Sequence, residues 1–345
     1  MSDNLFKRST LLTDIHFGRN GNSAVANQDN LDFIEWFVEE SKMYGAETCF
    51  MTGDWHDNRH NLNVSTMDYS IRGMEMLNEA FEKVYWLPGN HDLFYRDRRD
   101  VSSIAFAKFL PNVHVVREPT TIGGVTVLPW LIGDEYKTLK DTKSRYIFGH
   151  LELPGFMMNA RVEMPSHDNG LNSDDLNKIT STEYVFSGHF HFRQNKGKVI
   201  YAGNPFPFNF ADDWDEERGM MFLEWGKDPF FKAWNSQPLF RTMKLSDLLS
   251  KPDTLLRDKM TVRVTIDIDI SFEEAQLIKE TFIKQYGLRK VELIHQHKSD
   301  APTEFDPTIQ FQSVDQIVVD GLLSVKSEEL SPTRLVEMYN VLSHL

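Results

Sequence analysis

The sequence predicts an α/β domain over roughly its first two thirds, followed by a small β-α-β module and a pair of short helices. Three observations carry this reading. Apolar runs ending in Gly-Asp, Gly-Asn or Gly-His recur as far as residue 225, helical patterns separate the first three of them, and the patterning changes after Glu224. The runs are Thr10 to Thr13 before Asp14, Thr48 to Thr52 before Gly53-Asp54, Val84 to Leu87 before Pro88-Gly89-Asn90, Tyr146 to Phe148 before Gly149-His150, and Tyr184 to Ser187 before Gly188-His189. Their length and their aromatic and β-branched content predict short buried strands. Leu31, Ile34, Phe37 and Val38 mark one helix, ending near Gly45, and Met67, Ile71, Met74 and Leu77 mark another. Val113 to Val116 and Val125 to Leu128 are two further strand candidates, read as joined by a turn at Gly123-Gly124.

Residues 226–258 are rich in Pro, Asp and Lys and read as an irregular connector packed on the first domain. Met260 to Ile270 alternates as a strand. Ser271 to Gly287 is a helix opened by the capping box Ser271…Glu274 and closed by Gly287, and Val291 to Gln296 is another strand. Residues with few apolar side chains and two prolines then suggest an exposed linker. Two amphipathic helices follow, one from Ser313 (with Gln316) through Ile317, Val318 and Leu322, the other from Ser331-Pro332 with Leu335, Met338, Val341 and Leu342. Helices this short need burial against something, and a tethered pair at a terminus is a common docking element. The expected division is therefore a main domain over 1–225, a connector over 226–258, a β-α-β module over 259–298, a linker over 299–312 and a helical element over 313–345.

Composition narrows the function classes. With 37 Lys+Arg against 51 Asp+Glu the 345-residue chain carries a formal charge of -14, which argues against holding nucleic acid by bulk electrostatics. A polyanionic substrate has to meet a local site or a partner. Met1 to Arg8 lacks a signal-like apolar stretch and no apolar run is long enough for a membrane span, so neither secretion nor insertion is expected. The single cysteine, Cys49, reads as core filling, and the expected compartment is cytoplasmic. Any metal would then be held by His, Asp and Asn.

Asp14-x-His16 places two ligand-type side chains on one side of a strand end, and the sequence repeats that design at Asp54, at Asn90-His91-Asp92, at His150 and at His189-Phe190-His191. Oxygen and nitrogen donors delivered from five strand ends suit a pair of divalent ions about 3.5–4 Å apart, which clamps a phosphoryl group and activates water. Open α/β sheets bind ligands at the carboxyl ends of their strands, and glycines beside the donors permit close approach. Asp14-x-His16, Gly53-Asp54-x-x-Asp57, Gly89-Asn90-His91-Asp92, Gly149-His150 and Gly188-His189-x-His191 resemble, in order, the five motifs of calcineurin-like metallophosphoesterases. The chain length, the β-α-β module and the helical tail, with segments such as Leu128-Pro129-Trp130 and Gly149-His150-Leu151-Glu152-Leu153, narrow the resemblance to SbcD-type DNA repair nucleases and their phage recombination counterparts. It is dense over residues 10–225 and thin beyond.

That resemblance implies a two-sheet β-sandwich flanked by helices, a capping β-α-β domain and a C-terminal helical pair. It further implies one ion on Asp14, His16, Asp54 and His191 and a second on Asp54, Asn90, His150 and His189, bridged by Asp54. His91 would contact the scissile phosphate or its leaving oxygen, with the Asp57 carboxylate orienting it. The donor set suits manganese, iron or zinc, with magnesium also possible, and the resemblance implies manganese. It implies a homodimer and an SbcC-type ATPase partner that holds DNA while this chain cuts it, as a duplex exonuclease and single-strand endonuclease.

Simpler readings stand beside these. An isolated Asp, Asn or His after a strand usually caps a turn, and His56, His60, His114, His167, His295, His297 and His344 have no motif support. Arg96, Arg98 and Arg99 could contact a DNA backbone or pair with Asp97 and Asp100, and Arg193 divides in the same way. Phe206, Phe208, Phe210 and Trp214 read as core or dimer packing ahead of stacking on a base. The alternative functions are a phosphodiesterase or phosphatase for nucleotides or phosphoproteins, and a catalytically idle scaffold.

Overall fold

The computed structural model describes residues 4–159, 162–165, 170–295, 322 and 331–342. Two six-stranded mixed sheets face each other. The first has the order β14-β13-β1-β2-β3-β4, built from β1 (Arg8–Leu12), β2 (Thr48–Met51), β3 (Lys83–Trp86) and β4 (Val113–Val115), all parallel, with β13 (Gly219–Glu224) antiparallel to β1 and to β14 (Phe230–Ala233). The second has the order β11-β12-β10-β7-β6-β5. Here β6 (Val125–Leu128), β7 (Tyr146–His150), β10 (Tyr184–Gly188) and β12 (Val199–Tyr201) are parallel, and β5 (Thr120–Ile122) and β11 (Gln194–Lys196) are antiparallel edges. A small hairpin, β8 (Met157–Asn159) and β9 (Val162–Glu163), stands apart.

Period-two alternation explains the sandwich. Leu11, Phe50, Tyr85, Met221 and Leu223 point inward to meet Val125, Val127, Phe148 and Phe186, and the rings of Phe50 and Phe148 stack at a centroid distance of 3.7 Å. Their neighbours Leu12, Cys49, Met51, Val84, Trp86, Met220 and Phe222 point outward under two helices. Because both faces of the first sheet are covered, its strands read as continuous apolar runs. Each such large side chain contributes ~1.5–3 kcal/mol by leaving water.

The helices are α1 (Ala24–Tyr44), capped by Ser23 and ended by Gly45 at φ 74°, and α2 (Val64–Ala80), capped by the Asn63 side chain. Their apolar stripes bury Leu31, Ile34, Phe37, Met74 and Leu77, as the periodicity predicts. Cys49 is buried core.

Two expectations are corrected. The turn at Gly123-Gly124 joins β5 to β6, whereas Val113 to Val115 pairs with β3 in the opposite sheet, so the two strand candidates belong to different layers. The stretch 226–258 is not irregular. It contributes β14 to the first sheet and then β15 (Leu239–Lys244) and two helical turns, Leu245–Ser250 and Pro252–Leu255. Strand β15 pairs in parallel with β16 (Met260–Ile266), which pairs with β17 (Lys290–His295), and α3 (Phe272–Tyr286) packs on this sheet through Ala275 and Phe282. The module thus has three strands and its own core, and the Ser271/Glu274 capping box and the Gly287 C-cap form as expected. Bidentate Arg289–Asp29 and the 3.0 Å Lys259–Asp32 pair tie it to α1.

Residues 1–295 form one compact unit and 296–345 a second. In the second, α4 (Pro332–Leu342) is helical as predicted, with Leu335 half-buried and Met338 55% exposed. The linker 299–312, the Ser313/Gln316 capping box and the Leu342 side chain lie outside the described residues. Among the described residues no helix is long and apolar enough to cross a membrane.

Candidate metal centre

Parallel pairing sets the ends of β1, β2 and β3 side by side, and β7 and β10 do the same in the facing sheet. His150 at the end of β7 and the loops that follow the other strands carry every sequence-predicted ligand to one place. Thr52 and Asp14 extend the β1–β2 ladder through Thr52 N–H to the Leu12 carbonyl at 3.1 Å and Asp14 N–H to the Gly53 carbonyl at 3.0 Å. His16 N–H then donates to the Asp54 carbonyl at 3.1 Å. Asp14, His16, Asp54 and His189 all have positive φ, at 53°, 54°, 56° and 93°. Non-glycine residues in this region are strained, and such strain gathers at functional sites. Two glycines are fixed by contact instead: a Cβ on Gly89 would lie 2.1 Å from Asp54 Oδ1, and one on Gly188 would lie 2.1 Å from Thr13 Oγ1.

The donors fall into two groups, Asp14, His16 and His191, and Asp54, His150 and His189, each with its ligand atoms within 4.8 Å of one another. Asp54 touches both. Its Oδ2 is 3.2 Å from His150 Nε2 and 3.9 Å from His16 Nε2. Asn90 Oδ1 joins the second group, 3.0 Å from His150 Nε2 and 3.1 Å from His189 Nδ1.

The far side of each imidazole ring explains which nitrogen faces inward. His150 Nδ1–H donates to the Thr52 carbonyl at 2.7 Å, His16 Nδ1 lies 3.5 Å from the Asp57 carboxylate, and His189 Nε2 lies 3.6 Å from Glu152. This is the outer partnering that metal-bound histidines need to fix tautomer and angle. With Nδ1 turned to Asp57, the His16 Nε2 lone pair confronts His191 Nε2 at 3.2 Å. Two facing imidazole nitrogens beside two carboxylates make a donor set that a cation satisfies, so the residues fit two divalent ions.

These closely packed carboxylates and imidazoles shift one another, and a bound cation would take the place of protons held between them. Burial raises Asp14, with neighbouring Asp54 adding to the rise. Burial also pushes Asp54 upward, but the imidazoles of His150, His16 and His91 outweigh it and hold this carboxyl well below the usual range. Against its own burial, His150 is raised to about 9 by Asp54. Burial holds His191 well below the usual imidazole value, which favours the neutral ring that a metal ligand must be.

His91 sits at the mouth, half-buried. Its backbone N–H donates to Asp54 Oδ1 at 2.9 Å, and its ring Nδ1–H donates to the backbone carbonyl of Asp57 at 2.6 Å. The expectation that the Asp57 carboxylate orients His91 is corrected: the peptide oxygen does so, because the carboxylate turns to His16.

The structure also answers for the remaining candidates. His56 does not line the site; it is buried between Ser103 Oγ at 2.8 Å and Ser70 Oγ at 2.7 Å, and burial lowers it to about 3. Arg99 is not a free DNA contact, since it donates to the Trp130 carbonyl and pairs with Glu135. Arg193 pairs with Glu217 and stacks 4.1 Å over Phe231. Arg98 stacks 3.6 Å over Tyr95 and pairs with Asp100 at 3.2 Å, and Arg96 is exposed. Phe206 and Phe208 are buried, and Phe208 packs on the rings of His16 and His191. Phe210 packs on Phe240, and Trp214 is 50% exposed.

Three residues escaped sequence reasoning. Asp92, quoted there without a role, accepts from the amides of Asp54, Trp55, His56 and Gly89 and so shapes two ligand loops. Burial and nearby Asp54 raise it to about 7. Glu152 backs His189, and its place two residues after His150 was the available signal. Arg218 is fully buried and donates to Asp215, Asp212 and the His191 carbonyl, and Asp212 in turn accepts from Phe208 N–H at 2.9 Å. Arg218→Ala leaves buried Asp212 uncompensated and is expected to lower unfolding free energy by ~3–5 kcal/mol in urea denaturation. A change below ~1 kcal/mol would show that this cluster does not hold the His191 loop.

Residues 7–193 match the family model for the calcineurin-like phosphoesterases. The chain belongs to this family. As a calcineurin-like phosphoesterase it is a hydrolase of the dinuclear-metal type, with two candidate ligand groups in place. It is 30% identical over 221 residues to exonuclease subunit 1 of Enterobacteria phage T4, a match covering 61% of this chain and 63% of that protein, less than two thirds of the relative's length. Among solved structures it is similar to a dimetal phosphatase from Danio rerio, with 13% identity, a TM-score of 0.43, and coverage of 67% of this chain and 96% of that one. It is also similar to the Pseudomonas putida nuclease MPE, with 15% identity, a TM-score of 0.30, and coverage of 56% and 66%.

Proposed function

We propose that this phosphoesterase is a two-metal DNA nuclease subunit that works with an SbcC-type ATPase in double-strand-break processing, recombination and recombination-dependent replication. The observation that carries the reading is the pair of ligand groups sharing Asp54, with His91 held beside them. Asp14, His16, Asp54 and His191 would hold one ion and Asp54, Asn90, His150 and His189 the other; the donor types suit manganese, iron or zinc, and the resemblance to SbcD-type nucleases favours manganese. When bound, two such ions neutralise phosphoryl oxygens and make water nucleophilic at neutral pH.

The chain's own residues do the rest. His91, its Nδ1–H fixed on the Asp57 carbonyl, presents Nε2 to the substrate and, as the doubly protonated imidazolium, would give a hydrogen bond or its Nε2 proton to the leaving oxygen, keeping the Nδ1 proton. Asp57 and Glu152 keep His16 and His189 in register, and Asp92 fixes the loops of Asp54 and Gly89. The nuclease assignment is supported by the phage relative's name, by the cored module over β15–β17 as a DNA-capping domain, and by α4 with Leu335, Met338 and Leu342 as an ATPase-docking helix. A net charge of -14 is consistent with a partner gripping the DNA while this chain cuts it.

The test is cutting of linear duplex and single-stranded circular DNA by the manganese-loaded chain. Deleting residues 310–345 is expected to abolish co-purification with the ATPase. A truncated chain that binds the ATPase with full affinity contradicts the docking role, and a chain that cuts no DNA with any divalent metal contradicts the nuclease reading.

A further inference from the structure

A cavity of about 180 Å³ opens beside the metal centre and is not used by anything above. Trp130, Leu131, Tyr136 and Leu171 wall it, and His150 and Glu152 lie on its side toward the centre. The Trp130 ring rests against the ligands themselves, 6.0 Å from the His150 ring and 5.2 Å from the His189 ring.

The wall is built rigidly. Trp130 N–H donates to the Pro88 carbonyl at 2.8 Å, and the mostly buried Arg99 donates to the Trp130 carbonyl. Arg99 also pairs with Glu135, which accepts from Ile132 N–H at 2.8 Å. Thus Arg99, for which the sequence left both a DNA contact and a local ion pair open, fixes the loop from Trp130 to Glu135.

We infer that this cavity receives one unstacked nucleobase of the strand whose phosphodiester lies at the metal centre; this rests on the nuclease reading. At about 180 Å³ it is smaller than the ~300–1,000 Å³ of pockets that enclose a drug-sized ligand, and so suits a group the size of one base. Among the described residues no Lys or Arg lines it and the Glu152 carboxylate does, which disfavours a phosphate there. Flat aromatic walls suit a planar heterocycle, and a base attached to a phosphate held by His150 and its neighbours is tethered at the cavity's edge. Stacking accepts any base, and it requires the base to leave its duplex neighbours, so the cavity favours single strands, frayed ends and hairpin tips.

The test uses the full, manganese-loaded chain and single-stranded oligonucleotides in which one abasic nucleotide is walked past the cut. The wild type is expected to lose about tenfold in kcat/KM when the abasic position adjoins the cut. In Tyr136→Ala that ratio should fall to near one, and Tyr136→Phe should restore it. Metal-free protein gives a second readout, because anisotropy should show wild type preferring the base-bearing oligonucleotide and Tyr136→Ala showing no preference. A wild type that cuts base-bearing and abasic positions alike, or a Tyr136→Ala ratio equal to wild type, overturns the cavity's role and leaves the nuclease reading intact. Failure of the wild type to cut any DNA overturns both.

Discussion

Asp54→Ala is expected to lose at least about 10³-fold in phosphodiester hydrolysis, because Asp54 Oδ2 lies 3.2 Å from His150 Nε2 and 3.9 Å from His16 Nε2, within reach of both ligand groups, and the same carboxylate accepts the His91 backbone amide. No neighbour can substitute. Asp14 is confined to the first group by Thr13 Oγ1 at 2.7 Å and by the His189 amide at 3.1 Å, and Asp92 is spent on four backbone amides. The check is a steady-state assay together with metal analysis of the purified variant, which should hold fewer than two ions per chain. Activity within tenfold of wild type would mean that Asp54 does not bridge.

His91→Ala should separate chemistry from metal binding. The ring contributes none of the grouped ligand atoms, so metal content is expected to stay at the wild-type level while kcat falls by about 10²–10⁴, the range for a positioned acid or base. KM should change far less, since the loss falls on the reacting state. If kcat were unchanged, or if the ions left with the ring, His91 would not be the group facing the leaving oxygen.

The candidate ligands were legible in the sequence because they cluster at the ends of apolar runs and because parallel pairing carries strand ends to one edge; His150 ends its strand, His189 follows its own directly, and Asp14, Asp54 and Asn90 lie within a short loop of theirs. The helices ending at Gly45 and Gly287 were legible for a similar local reason, a cap plus periodicity. What stayed hidden depends on packing between distant segments. Strand β15 buries Leu239 and Met243 but carries Arg241 between them, so it lacks clean alternation and only its pairing with β16 marks it as part of the module. Arg99 and Arg193 look like free cations until Glu135 and Glu217 arrive from other loops. Asp57 could face either His91 or His16, and the turn that brings its peptide oxygen to His91 decides the matter.

The most direct measurement is anomalous scattering, above and below the manganese edge, from crystals of the full chain loaded with manganese. Two peaks are predicted, one among Asp14, His16 and His191 and one among Asn90, His150 and His189, with Asp54 between them. A single peak elsewhere, or none at full loading, would contradict the paired-ion centre.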